Sequence, residues 1–241
     1  MSKLKVSTRE IGSVCVFDLM GEPTEESLME VVNKIQKSIR RHRLQRVILN
    51  LQMLPRLEHL GLRKLLTACI RPQKSLLFGV SAEMAEFIKN NYMPKNMRIC
   101  QSEKEVAEDL GPFLLEKDGV GQFSVDENIT PQQTAGYQIE RRRSKRMKVA
   151  LPIELKVHLS NGTVLETRAI ATNISEGGLF AEYLDLESVA KIESLDPAQG
   201  QKVDIRIFPS MNFPEEYQLQ GKIVRKESRK KQLGIAVEFL A

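Results

Sequence analysis

Two short stretches of this chain carry residue types that can act together on one ligand. Arg141-Arg142-Arg143-Ser144-Lys145-Arg146 packs cationic side chains into six positions. Asn173-Ile174-Ser175-Glu176-Gly177-Gly178 comes further on, with an amide, a hydroxyl and two glycines. Guanidinium forks suit phosphates and planar acceptors that are gripped at two points. Arg142 and Arg146 are four apart, so they share a side on a helix and return to one side on an extended arm. Asn173 offers donors and an acceptor, and Ser175, two positions on, offers a hydroxyl on the same side of an extended turn. Gly177 and Gly178 permit a positive-φ backbone and the close approach of a ligand. An anionic, planar ligand fits this set. Guanine is one: its Hoogsteen edge presents two acceptors to an arginine fork, and an arginine plane can stack on its face.

Each part alone is weak. An arginine run is commonly a solvated face or a nucleic-acid arm. An Asn-x-Ser turn with glycines is commonly only a turn, and formally also a glycosylation sequon. Charge distribution favours a local site. Residues 137–148 hold six basic side chains against the single acid Glu140, while residues 149–241 sum to −2. Concentrated charge reads as an anion site rather than as a broad nucleic-acid footprint. A nucleic-acid regulator using the basic arm is the alternative, and it lacks a helix-turn-helix or an aromatic RNA-reading motif. An adaptor without a ligand is the third reading. No paired carboxylates, Ser/His/Asp set, Cys/His pair or phosphate loop stands in a compatible context, so no enzyme is expected.

The elements that must position these residues fall into two groups. The chain has 241 residues, 41% hydrophobic and 28% charged, which is room for two ordinary globular domains. No apolar run is long enough to span a bilayer and no signal-peptide core comes after Met1, so a cytoplasmic location is expected. Cys15, Cys69 and Cys100 sit in apolar contexts and read as buried reduced thiols. His42, His59 and His158 share no ligand spacing, so neither a metal nor another cofactor is expected.

In residues 1–110, strands are expected over 3–9 and 13–20, then a helix over about 25–41 capped by Thr24, with Leu28, Val31, Val32, Ile35 and Ile39 inward. The run 46–51 reads as a central strand covered on both faces. A helix begins after Gly61 with Leu62, Leu65, Leu66, Cys69 and Ile70 inward, then a strand over 75–80 and a helix over 83–90. A short strand at 98–100 precedes a last helix, opened by the capping box Ser102-Glu103-Lys104-Glu105. This order gives a mixed α/β sheet with helical cover. Residues 111–136 lose all periodicity and read as a linker. From 137 onward come about six strands, with a short helix somewhere in 184–199, which gives an antiparallel barrel. Residues 173–178 are expected as a polar turn between two of those strands.

The first half resembles the STAS domain over roughly residues 3–110, on element order and on Val47-Ile-Leu-Asn-Leu…Glu58-His-Leu-Gly-Leu62. Gly61 and Leu62 match the family motif and Glu58 stands for its aspartate. His59 and Leu60 replace the two serines, so the resemblance implies an interaction module that meets an unidentified protein partner and is not switched by phosphorylation there. The second half resembles the bacterial PilZ domain. The R-x-x-x-R motif is Arg142 to Arg146, and [D/N]-x-S-x-x-G is Asn173 to Gly178. The closing strands Gly221-Lys-Ile-Val224 and Gly234-Ile-Ala-Val-Glu-Phe239 fit the same pattern. That resemblance implies a six-stranded barrel that binds cyclic di-GMP. It also implies a site formed by Arg142 and Arg146 on a mobile arm, Arg141 beside them, and Asn173, Ser175, Gly177 and Gly178 on the barrel.

Overall fold

The computed structural model of the chain describes residues 2–54, 57–91, 93–111, 146–193, 195, 200–210, 213–227 and 233–240. The chain opens with an antiparallel hairpin, β1 (Lys5–Ile11) and β2 (Val14–Met20). Helix α1 (Glu25–His42) comes next, then β3 (Arg46–Asn50), α2 (His59–Ala68), β4 (Lys74–Phe78), α3 (Ala82–Asn91), β5 (Met97–Cys100) and α4 (Glu103–Leu110). The five strands form one sheet in sequence order, with β2, β3, β4 and β5 parallel. This is the expected mixed sheet with helical cover.

Local signals account for the boundaries. Thr24 caps α1: its hydroxyl accepts from the Ser27 N–H, and the Ser27 hydroxyl accepts from the Thr24 N–H. Arg43 ends α1 in the left-handed region at φ 49°. Helix α2 stops at Ala68, one residue before Cys69, so Ile70 lies beyond the helix and is exposed rather than inward. The capping box at α4 is half formed. The Ser102 hydroxyl accepts from the Glu105 N–H, but the Glu105 carboxylate turns outward to the Gln101 N–H instead of the Ser102 N–H. Cys15, Cys69 and Cys100 are free thiols and buried. Burial pushes Cys69 and Cys100 up to about 12, which keeps them protonated and inert.

Beyond α4 come β6 (Met147–His158), β7 (Val164–Ser175), β8 (Gly178–Glu182), α5 (Leu186–Glu193), β9 (Lys202–Ile207), β10 (Tyr217–Glu227) and β11 (Gly234–Phe239). The six strands close into an antiparallel barrel in the order β10-β11-β8-β7-β6-β9. Its interior is filled by alternate residues such as Leu151, Ile153, Leu155, Ala169, Ala171, Ile205, Ile223 and Val237. Apart from Gly111, the linker expected at 111–136 lies outside the described residues.

One face of the sheet, with Cys15, Phe17, Leu19, Val47, Leu49 and Leu77, packs against α1, α2 and α3. The other face, with Val14, Val16, Ile48, Leu76 and Phe78, packs against α4 and against Ala150, Ile170 and Leu184 of the barrel half. This two-sided cover explains the unbroken apolar run of β3. It also joins the two halves through one continuous apolar cluster, which the sequence pattern did not reveal.

Polar contacts reinforce that junction. Arg9 and Asp18 form a buried ion pair, and Arg9 also donates to the carbonyl oxygens of Tyr183 and Leu184. Asn50 donates to Asp18 and to the Leu184 carbonyl. Gln52 bonds both the Asp185 carboxylate and the Leu186 N–H. The Glu182 carboxylate accepts from the Gly12 N–H, and its burial pushes its pKa up. Strand β8 therefore ends inside this junction.

Candidate functional site

The outer face of the barrel holds a cleft of about 590 Å³. That volume is in the range of sites for small ligands. Arg146, Asn173, Ser175, Gly177 and Gly178 all line it. These are five of the seven residues that the sequence singles out. Arg141 and Arg142 lie outside the described residues. Arg146 precedes β6 and is exposed.

The polar turn expected at 173–178 is smaller than the sequence indicates. Asn173, Ile174 and Ser175 are the last residues of β7, and Gly178 is the first of β8. Only Glu176 and Gly177 form the turn, because β7 and β8 pair up to Ser175↔Gly178. The Ser175 hydroxyl donates to the Gly178 carbonyl at 3.2 Å, closing the hairpin. The Gly177 carbonyl accepts from the Phe239 N–H at 3.0 Å, tying the turn to β11.

Of the two glycines, Gly178 alone serves a close approach. Neither Gly177 nor Gly178 has a positive φ. A Cβ on Gly178 would stand 2.2 Å from the Val237 carbonyl oxygen, so only glycine lets β8 lie this close to β11. A Cβ on Gly177 would meet nothing within 4 Å, which leaves that side open towards the cleft.

Asn173 reaches the outer face by an irregularity in the strand. Ala169 and Ala171 point into the barrel core, so strict alternation would send residue 173 inward as well. The pairing of β7 with β8 shifts between Ala171 and Asn173, with Thr172 as the extra residue. Such a bulge reverses the facing of the residues beyond it. Asn173 is then half-buried at the floor of the cleft.

Several lining residues escape a motif-based reading: Phe180, Val224, Arg225, Glu227, Ala236 and Glu238. Strand parity signals those on β8 and β11, whereas Val224 and Arg225 flank a register shift that parity does not show. Gly178 and Phe180 alternate along β8, as Ala236 and Glu238 do along β11. Glu238 is held by Lys222 at 2.9 Å, and Arg225 stands 3.8 Å from Glu227. The cleft thus joins exposed cations, an amide, a hydroxyl and a small apolar floor. It can hold an anionic ligand with a planar, hydrogen-bonding base.

In the N-terminal half, His59 opens α2 and stacks on Phe87 with ring centroids 3.8 Å apart. That is the packing of a helix-start residue. Among the described residues, no cluster of His, Cys, Asp or Glu could hold a metal ion, and no helix is long and apolar enough to cross a membrane.

Comparison with curated proteins gives no match. Among solved structures, the Bacillus cell fate determinant SpoIIAA, in its phosphorylated form, matches over the N-terminal half. It is 16% identical, covers 42% of this chain and 96% of its own, and has a TM-score of 0.35. The PilZ domain of YcgR from Escherichia coli, solved with c-di-GMP, is 19% identical over 42% of this chain and 79% of its own, with a TM-score of 0.27. PlzA from Borreliella burgdorferi, solved in complex with c-di-GMP, is 18% identical over 41% of this chain and 45% of its own, also at 0.27. The family model of the PilZ domain matches residues 140–241, the stretch that contains both motifs and the whole barrel.

Proposed function

We propose that this chain is a non-enzymatic bacterial receptor for cyclic di-GMP. The ligand sits in the barrel cleft. Arg142 and Arg146, with Arg141 beside them, close over it from the segment that precedes β6. Asn173, Ser175, Gly177 and Gly178 hold the base edges from below. The observation that carries this reading is the convergence of Arg146, Asn173, Ser175, Gly177 and Gly178 on one cleft of suitable volume. Guanidinium forks meet phosphate and guanine acceptors there without any metal or other cofactor.

Binding then alters how the STAS-like half meets a protein partner in the cytoplasm. The physical support is the shared strand: β8 starts in the cleft at Gly178, and the chain just past its end supplies two acceptor carbonyls to the junction. A ligand shifts such an equilibrium only as far as it prefers one arrangement over the other. Calorimetric titration of the full chain with cyclic di-GMP tests the reading. Binding at micromolar concentrations or tighter is expected. An absence of heat up to roughly tens of micromolar ligand would exclude it.

A further inference from the structure

The barrel face carries a second strand irregularity that mirrors the one at Asn173. On β10, Ile223 pairs with Val237 and points into the core, while Arg225 pairs with Ala236. Val224 is the extra residue between them. Without that register shift, alternation from Ile223 would turn Arg225 inward; with it, both Val224 and Arg225 line the cleft. Bulges re-aim side chains in this way beside functional sites.

The two bulges place their residues on one row. Asn173 pairs with Phe180, Phe180 with Ala236, and Ala236 with Arg225. Four adjacent strands put the ends of this row roughly 14 Å apart, at about 4.8 Å per strand. All four residues line the cleft. Asn173 and Arg225 are its polar ends. Phe180 and Ala236 lie between them as an apolar floor, low on the alanine side.

Arg225 is available to a ligand. Its side chain is 60% exposed, and its ion pair with Glu227 is 3.8 Å long, beyond hydrogen-bond length. Its guanidinium stands 6.0 Å from the Phe180 ring centroid, at the outer limit of a cation–π contact. The acids around the cleft point the same way. Glu238 is held by Lys222 at 2.9 Å, whereas Glu227 has Arg225 as its neighbouring cation on the cleft side. A dianion entering the cleft needs that cation retained.

We infer that Arg225 is a guanine-reading residue of this site, donating its fork to the O6 and N7 acceptors of a base that lies on Phe180 and Ala236. The inference rests on the cyclic di-GMP reading and adds the residue that selects the base from the wall opposite Asn173. Adenine presents a donor where guanine presents O6, so the fork discriminates between the two bases.

The experiment is a calorimetric titration of the full chain, wild type, Arg225→Ala and Arg225→Lys, with cyclic di-GMP and with cyclic di-AMP at one salt concentration. Arg225→Ala is expected to weaken cyclic di-GMP binding roughly 10- to 100-fold, the scale of one bidentate base contact. Cyclic di-AMP, bound more weakly by wild type, should change by less than about threefold. Lysine keeps the charge without the fork, so Arg225→Lys should stay weak. Affinity of Arg225→Ala within about twofold of wild type, or full recovery with lysine, overturns the inference. The parent reading is judged separately: it stands if wild type binds cyclic di-GMP, and falls, taking this inference with it, if wild type does not.

Discussion

Arg9 and Asp18 meet as a two-point ion pair at 2.6 and 3.0 Å, with side chains only 4% and 2% exposed. They sit on β1 and β2 of the sheet, yet the remaining donors of Arg9 reach the carbonyl oxygens of Tyr183 and Leu184, at 2.5 and 3.0 Å. One guanidinium thus satisfies a carboxylate of the sheet and two backbone groups of the barrel half. Removing one partner of a buried pair leaves the other charge uncompensated, and Arg9→Ala also strands two carbonyls. Arg9→Ala should cost about 3–5 kcal/mol in urea unfolding monitored by circular dichroism. The double change Arg9→Met with Asp18→Leu removes both charges and should cost less. A loss under about 1 kcal/mol for Arg9→Ala would show that the pair contributes nothing to the junction.

Stability should fall as pH rises through neutrality, because of Glu103. This residue opens α4 and is 5% exposed. Its burial pushes the carboxyl up to about 7, with the Asp185 charge adding to the shift and Arg168 opposing it. A folded-state pKa above the unfolded value means the native state holds the extra proton between roughly pH 4.5 and 7. The proton's contribution is fully present below the unfolded value and lost as pH rises through about 7. Thermal melts from pH 5 to 8 should show this decline, and Glu103→Gln should flatten it and raise stability at pH 8. A decline that persists unchanged in Glu103→Gln would assign it to another group, with Glu182 the next to test, since burial raises it too.

Gly178→Ala should damage the fold as well as the cleft. The added methyl would meet the Val237 carbonyl oxygen at 2.2 Å, and that atom belongs to the β11 backbone. Overpacking of this kind costs about 1–3 kcal/mol. Gly177→Ala meets nothing and should be neutral for stability. Parallel melting curves check the contrast, and equal behaviour of the two variants would mean that β8 can move away from β11 at little cost.

Element order, the six-strand count, the α1 cap and the motif residues that line the cleft were legible because each depends on local pattern: period, capping chemistry or spacing. The placement of Asn173 on the outer face was not legible. Its strand neighbours Ala169 and Ala171 are core residues, and only the extra residue Thr172 reverses the parity. Arg225 was hidden for the same reason, one residue past a bulge at Val224. A bulge is a pairing property of two strands, and a single strand's sequence does not display it. The junction was hidden too. Arg9 and Tyr183 are 174 positions apart, and Arg9 in a polar-apolar alternating strand looks like an ordinary solvated residue. Helix α2, expected to begin after Gly61, begins at His59, and the stacking of His59 on Phe87 depends on where α3 packs.

Arg146→Ala should separate ligand binding from stability. Arg146 is exposed and stands at the edge of the cleft, before β6 begins. Its loss strands no buried group in the free protein, so the melting temperature should stay within about 2 °C of wild type, as for surface changes. In the complex the same guanidinium faces a desolvated anion, and its removal should cost about 2–5 kcal/mol of binding free energy. Asn173→Ala should weaken binding by less, about 1–3 kcal/mol, since an amide lost from a base edge forfeits hydrogen bonds without an uncompensated charge. The salt dependence separates the two further. Arginine contacts to phosphate weaken with ionic strength, so wild-type affinity should drop between low and physiological salt more steeply than that of Arg146→Ala. Titrations at two salt concentrations, with melts on the same samples, decide the point. Unchanged affinity in Arg146→Ala would remove it from the site and leave the cleft to be closed by other residues.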